Sequence, residues 1–146
     1  MNDDYFMSLA IEEARKGELI DEVPIGCVIV KDNQIIASAH NMKEEKQQVM
    51  AHAEMLAIKE ASQKLGTWHL DDCTLYVTLE PCMMCTGAIV QSRIKRVVIG
   101  ATVNRWPGMI QLLNQFHYNH DVQIDISSSK AICASILSNY FKKKRS

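Results

Sequence analysis

Thr74-Leu75-Tyr76-Val77-Thr78-Leu79-Glu80-Pro81-Cys82-Met83-Met84-Cys85, running on through Ile89-Val90 to Arg96-Val97-Val98-Ile99, is the stretch that decides the fold. Residues 74–79 alternate, with Leu75, Val77 and Leu79 on one face and Thr74, Tyr76 and Thr78 on the other, the period of a strand. Pro81 suits the first turn of a helix, where its missing N–H leaves nothing unpaired, and the helix is expected over about 82–92. Residues 96–99 form a short strand. A helix near 109–116 separates it from another strand at 122–126, and a helical connection of that length favours parallel pairing of those two strands.

Upstream, residues 3–16 predict a helix with an acidic first turn, ended by Gly17. Residues 25–31 are almost continuously apolar, as in a strand covered on both faces. Asp32-Asn33 turns the chain into a second strand over 34–39, making a hairpin. Residues 41–49 are polar and without period, a loop. A helix follows from about 51 to 65, with Met55, Ile58 and Leu65 as its buried stripe and Gly66 stopping it. The last helix starts near Ser128, with Ile132, Ile136 and Tyr140 inward. Strands alternating with helices predict an α/β protein, a three-layer α/β/α sandwich around one mixed five-stranded sheet.

The chain has 146 residues, 47% hydrophobic, enough for one domain spanning 1–146 with a proper core. The start, Met1-Asn2-Asp3-Asp4, lacks the basic and apolar regions of a secretory signal. No apolar run approaches a membrane span. Five cysteines, odd in number and widely spaced, argue against a disulfide framework, and Cys27 and Cys133 read as core thiols. The expected compartment is the cytoplasm. Four of the sixteen basic residues are Lys142, Lys143, Lys144 and Arg145; taking their charge from the net −1 leaves −5 on residues 1–141. An acidic body excludes broad nonspecific nucleic-acid binding but permits a local phosphate contact. Tyr140 and Phe141, just before the cluster, offer stacking surface; a solubilising, frayed terminus is the plainer reading.

Two short motifs carry chemistry. His52-Ala53-Glu54 and Pro81-Cys82-Met83-Met84-Cys85 supply three good zinc ligands, His52, Cys82 and Cys85, and a carboxylate, Glu54, poorly suited to be a fourth. Structural zinc is closed by four protein ligands, whereas catalytic zinc keeps a position open. Two thiolates and an imidazole favour zinc over harder metals. Cys82 and Cys85, three apart at a helix N-terminus, share a face and have their thiolates favoured by the helix dipole. Taken singly, a CxxC is a redox pair or structural half-site and an HxE is chance. In this order they form the signature of the zinc-dependent nucleobase deaminases. His40, His69, His117 and His120 have no ligand spacing with another candidate.

With Glu22-Val23-Pro24-Ile25-Gly26, Ala39-His40-Asn41, Leu75 to Glu80, and Ser92-Arg93-Ile94 before Arg96-Val97-Val98, these motifs resemble the bacterial tRNA-specific adenosine deaminases. Those enzymes convert the wobble adenosine of an anticodon to inosine, within the cytidine/deoxycytidylate deaminase superfamily. The resemblance covers residues 1–100 closely and the rest loosely. It implies the cytidine-deaminase-like fold, usually as a homodimer, one Zn2+ per subunit, no organic cofactor, and a tRNA anticodon stem-loop as substrate. It implies that Glu54 carries protons, that Asn41 hydrogen-bonds the target nucleotide, that Ile25 and Leu79 line the base pocket, and that the Ala53 amide helps read the ring edge. From the residues alone, Asn41 is equally a loop cap, and Ile25 and Leu79 are core residues at strand ends.

One segment departs from the family. After Gly100-Ala101 relatives carry an Asp-Pro-Lys-x-Gly type loop bordering the RNA-binding face; here stands Thr102-Val103-Asn104-Arg105-Trp106-Pro107-Gly108. Arg105 and Trp106 substitute a cation and a stacking plane, or Trp106 packs on the body above a Pro107-Gly108 turn. The aromatic-basic tail, with Phe141, Lys142 and Arg145, resembles the family's C-terminal helix. Two rivals stand beside this reading: a deaminase of a free base or nucleoside, favoured by the altered loop and acidic body, and a noncatalytic zinc-stabilised domain.

Overall fold

The computed structural model describes residues 2–145. One sheet of five strands carries the molecule, in the order β2-β1-β3-β4-β5. These are β1 (Gly26–Lys31), β2 (Gln34–His40), β3 (Cys73–Leu79), β4 (Arg96–Ala101) and β5 (Gln123–Ile126). β1 runs antiparallel to both β2 and β3, while β3, β4 and β5 are parallel, so the sheet is mixed as expected.

Helices cover both faces. On one side α3 (Ala53–Leu65), α4 (Met83–Gln91) and α5 (Met109–Gln115) pack on Cys27, Ile29, Leu75, Val77, Val97 and Ile99. On the other, α1 (Asp3–Leu19) and α6 (Lys130–Arg145) pack on Val28, Val30, Tyr76 and Val98. Successive side chains of a strand point to opposite faces. The unbroken apolar run of β1 therefore feeds two cores, one through Cys27 and Ile29, the other through Val28 and Val30. Tyr76, on the supposedly polar face of β3, is buried against Phe6, and Thr78 is buried as well. Its hydroxyl accepts the Gly26 N–H at 3.0 Å.

Four expectations are corrected. Gly17 does not stop α1; the helix runs to Leu19 and closes with Asp21 in the left-handed region, φ 63°. There the Glu22 N–H donates to the Gly17 carbonyl and the Asp21 N–H to that of Glu18, a Schellman closure that Asp tolerates. The loop over 41–49 contains a single turn of helix, α2 (Lys43–Lys46), whose Glu44 and Glu45 N–H groups donate to the buried Glu22 carboxylate. In α3 the fully buried stripe is Ala53, Ala57 and Ala61; Met55, Ile58 and Leu65 are half-buried around it. Small residues let the helix axis sit close to the sheet. In α6 Ile132 is exposed, because the inward face is Cys133, Ile136, Leu137 and Tyr140 and Ile132 lies to one side of it.

An ion-pair network pins the far edge. Arg96 on β4 holds Asp3 of α1 through two nitrogens, at 2.9 and 2.7 Å, and Asp125 of β5 at 2.7 Å. Tyr76 donates its hydroxyl to Asp3 at 2.6 Å. Among the described residues no helix is long and apolar enough to cross a membrane.

Candidate active site

His52 is the N-cap of α3 and Cys82 the N-cap of α4, both in extended backbone. Pro81 therefore sits one residue outside its helix, contrary to the first-turn position expected for it. Its carbonyl instead accepts the Met109 N–H at 3.2 Å and so ties α4 to the start of α5. The helix ends bring His52, Cys82 and Cys85 together, with one donor atom from each all within 4.8 Å. The His52 Nδ1 lies 3.8 Å from the Cys82 Sγ and 3.5 Å from the Cys85 Sγ. Zinc bonds of about 2.3 Å to sulfur and 2.0–2.1 Å to nitrogen, at tetrahedral angles, would place such atoms about 3.6 Å apart. The donor set fits zinc in both chemistry and spacing. It is the one such group among the described residues.

Electrostatics separate the two thiols. The Cys85 thiol, hydrogen-bonded toward Cys82, depresses the Cys82 thiol to about 3, helped by His52. Cys85, bonded to that anion and buried, is driven in the opposite direction. The pair thus holds at least one thiolate, the form that binds metal. The same hydrogen bond with Cys82 raises His52. Cys27, fully buried, has its thiol pushed well up by burial and by the charge of Glu54, consistent with a core thiol.

Glu54, in the first turn of α3, is 4% exposed. Burial lifts its carboxyl to about 7, against the pull of its own backbone amide, of His52 and of Cys85. A carboxyl poised near neutrality can take up and release a proton under working conditions. Glu54, His52 and Cys82 open on one cavity of about 690 Å³. Ile25, Asn41 and Leu79 line the same cavity, so three strand-end residues converge there. Ala53 is buried behind the wall, and its N–H donates to the Asn41 Oδ1 at 2.8 Å. Asn41 thus fixes the start of α3 while facing the cavity.

Arg105, Trp106, Phe141 and Arg145 form the outer wall of this cavity. Trp106 is 54% exposed and borders the cavity. Lys142 lies one residue round the helix from Phe141 and lines a separate groove with Arg15 and Lys143. Lys144 reaches the Asp21 carboxylate at 2.6 Å, and Tyr140 donates to the same residue. The tail is therefore docked, not frayed. His40, set aside as a ligand, pairs with Glu13 at 2.9 Å. Three buried glutamates were given no role in the sequence reading: Glu13, which holds His40; Glu22, which caps α2; and Glu80, which lines the cavity. Glu80 stood next to the Pro81-Cys82 motif, and an acidic residue closing an apolar strand was the available signal.

The MafB19-like deaminase family matches residues 1–145. A tRNA-specific adenosine deaminase of Streptococcus pyogenes serotype M18 is 46% identical over 97% of this chain and 91% of its own length. The chain belongs to the tRNA-specific adenosine deaminase family. It is a deaminase in fold as well: a structure from work on A-to-I editing by tRNA:A34 deaminases superposes with a TM-score of 0.87 at 38% identity, covering 92% of this chain and 99% of that one. A guanine deaminase from Bacillus subtilis is 42% identical, but covers only 70% of this chain and 66% of its own, with a TM-score of 0.67.

Proposed function

We propose that this deaminase hydrolyses the 6-amino group of the wobble adenosine in a tRNA anticodon, leaving inosine and ammonia, with one zinc ion per subunit held by His52, Cys82 and Cys85. The observation that carries the reading is a three-donor site with the buried carboxyl of Glu54 opening on the same cavity. Zinc on those donors would supply Lewis-acid activation of water. Glu54 takes the proton of the attacking water and passes it to purine N1 as C6 is attacked; it then takes the proton of the new C6 hydroxyl and delivers it to the departing amine, leaving C6=O. One water is consumed and one ammonia released. Ile25 and Leu79 clasp the extruded base, and Asn41 holds both Ala53 and the nucleotide. Arg105, Trp106, Phe141 and Arg145 meet the flanking RNA by charge and stacking, with Lys142 on the outer side of the same helix.

The likeness to a guanine deaminase favours a second reading, action on a free base. The near-complete overlap with the tRNA:A34 deaminase, and the basic, aromatic outer wall, support RNA instead. Offering purified enzyme an anticodon stem-loop, free adenosine, guanine and cytosine, with ammonia as readout, separates them. Turnover is expected on the stem-loop. Release of ammonia from guanine alone would transfer the chain to the second reading. We take the enzyme to act in the cytoplasm as a homodimer, for which the exposed Val49, Met50 and Met83 offer apolar surface. Sedimentation at the mass of one chain would refute the dimer.

A further inference from the structure

One carboxylate on the cavity wall has no part in the chemistry above. Glu80 follows β3 directly, is 5% exposed, and lines the cavity beside Cys82. Its Oε1 accepts the Val103 N–H at 2.9 Å and its Oε2 the Ile110 N–H at 2.7 Å. Its own N–H donates to the Ala101 carbonyl at 2.8 Å. A single residue therefore ties down both ends of the irregular segment between β4 and α5. Gly108 completes the fit: a Cβ there would fall 2.5 Å from the Glu80 Cδ. Between the two tethers stand Arg105 and Trp106, both exposed and both on the cavity wall.

We infer that Glu80 is a positioning residue for substrate recognition, fixing the 102–110 segment so that Arg105 and Trp106 meet the nucleotides that flank the target base. The inference rests on the RNA reading above. Hydrogen bonds from backbone N–H groups to a buried carboxylate are charge-assisted and strong. A glutamine of the same size keeps one acceptor oxygen but turns an NH2 toward the other N–H, donor facing donor. One tether is lost while the volume stays.

Two variants probe this, E80Q from the carboxylate side and G108A from the segment side. On an anticodon stem-loop each should raise KM about tenfold, the scale of one lost charged hydrogen bond, with kcat within about twofold. The double variant should show less than the product of the two effects, since both release the same contact. In a Trp68→Phe background Trp106 is the remaining tryptophan, and E80Q should increase its collisional quenching by acrylamide. An unchanged KM in both variants, or a fall in kcat at constant KM, would overturn the inference, the latter by placing Glu80 at the reacting base. Unchanged quenching would overturn it without reference to any substrate. A wild-type enzyme inert toward the stem-loop would instead sink the RNA reading, leaving the quenching result to decide on Glu80.

Discussion

At Gly26 β1 lies against the backbone of α1, and Gly26→Ala tests how tightly that contact governs the site. A methyl at 26 would lie 1.9 Å from the Ala10 carbonyl oxygen and 2.5 Å from the Ala14 nitrogen. Both are backbone atoms, so no side chain can rotate away. Favourable contacts between heavy atoms lie near 3.5–4.0 Å, so helix and strand must part by more than about 1 Å. Exchanging Gly for Ala in a compatible strand would stabilise by limiting the unfolded chain; here the clash dominates. Overpacking of this kind costs about 3 kcal/mol. For a chain near 150 residues that is a fall in Tm of about 10 °C. The displacement also reaches the chemistry: the Ile25 carbonyl accepts the Asn41 N–H at 3.2 Å, and Asn41 holds the Ala53 N–H between His52 and Glu54. A shift of about 1 Å at reacting groups costs on the order of a hundredfold in rate. Circular-dichroism melting and steady-state deamination of a stem-loop would be read on the same preparation. A Tm within about 2 °C of wild type would refute the packing argument. The expected fall in Tm with full activity would refute the coupling of β1 to the site.

Three further outcomes are expected. Glu54→Gln keeps the shape of a buried side chain but cannot accept a proton, so kcat should fall about 10² to 10⁴-fold with one zinc per subunit retained by elemental analysis; wild-type turnover would remove Glu54 from the mechanism. Cys85→Ser exchanges a buried thiol for a poor zinc ligand, and the purified variant should lose both metal and activity; full zinc occupancy would strike Cys85 from the donor set. The third concerns pH. The Arg96 hydrogen bond, outweighing burial, holds the Asp3 carboxyl at about 2, below its ordinary 3.8. A depressed carboxyl stabilises the fold above its unfolded value and loses that contribution as pH falls toward 2. Arg96→Met should therefore melt below wild type at neutral pH, the gap closing between about pH 4 and 2. Asp3 is 37% exposed, so salt should shrink the neutral-pH gap as well. A gap independent of both pH and salt would show that Arg96 contributes by packing alone.

Much of the site was legible because its ligands come from local motifs. His-x-Glu and Pro-Cys-x-x-Cys each span one helix start, so spacing along the chain is spacing in space. The continuous apolar run of β1 announced a strand buried on both faces, and the period of β3 announced a strand, though not that Tyr76 and Thr78 would be buried too. Where reading failed, the cause was a contact made at a distance. Gly17 looked like a stop, yet it lies buried under His40 and the helix closes on Asp21. Ile132 matched the spacing of an inward face, but α6 packs through Cys133, Ile136, Leu137 and Tyr140 and leaves it toward solvent.

The amino-acid sequence by itself determined the five strands and every helix but α2, and singled out His52, Cys82, Cys85 and Glu54 as candidates, because periodicity and short-range spacing are properties of a few consecutive residues. Only the tertiary structure decided that Glu54 is buried enough to sit near neutrality, that Asn41 clamps α3, and that Glu80 and Glu22 each hold backbone amides at 2.7 to 3.1 Å. Burial and desolvation depend on what packs around a group from every direction, and some of those neighbours lie thirty or more positions away along the chain.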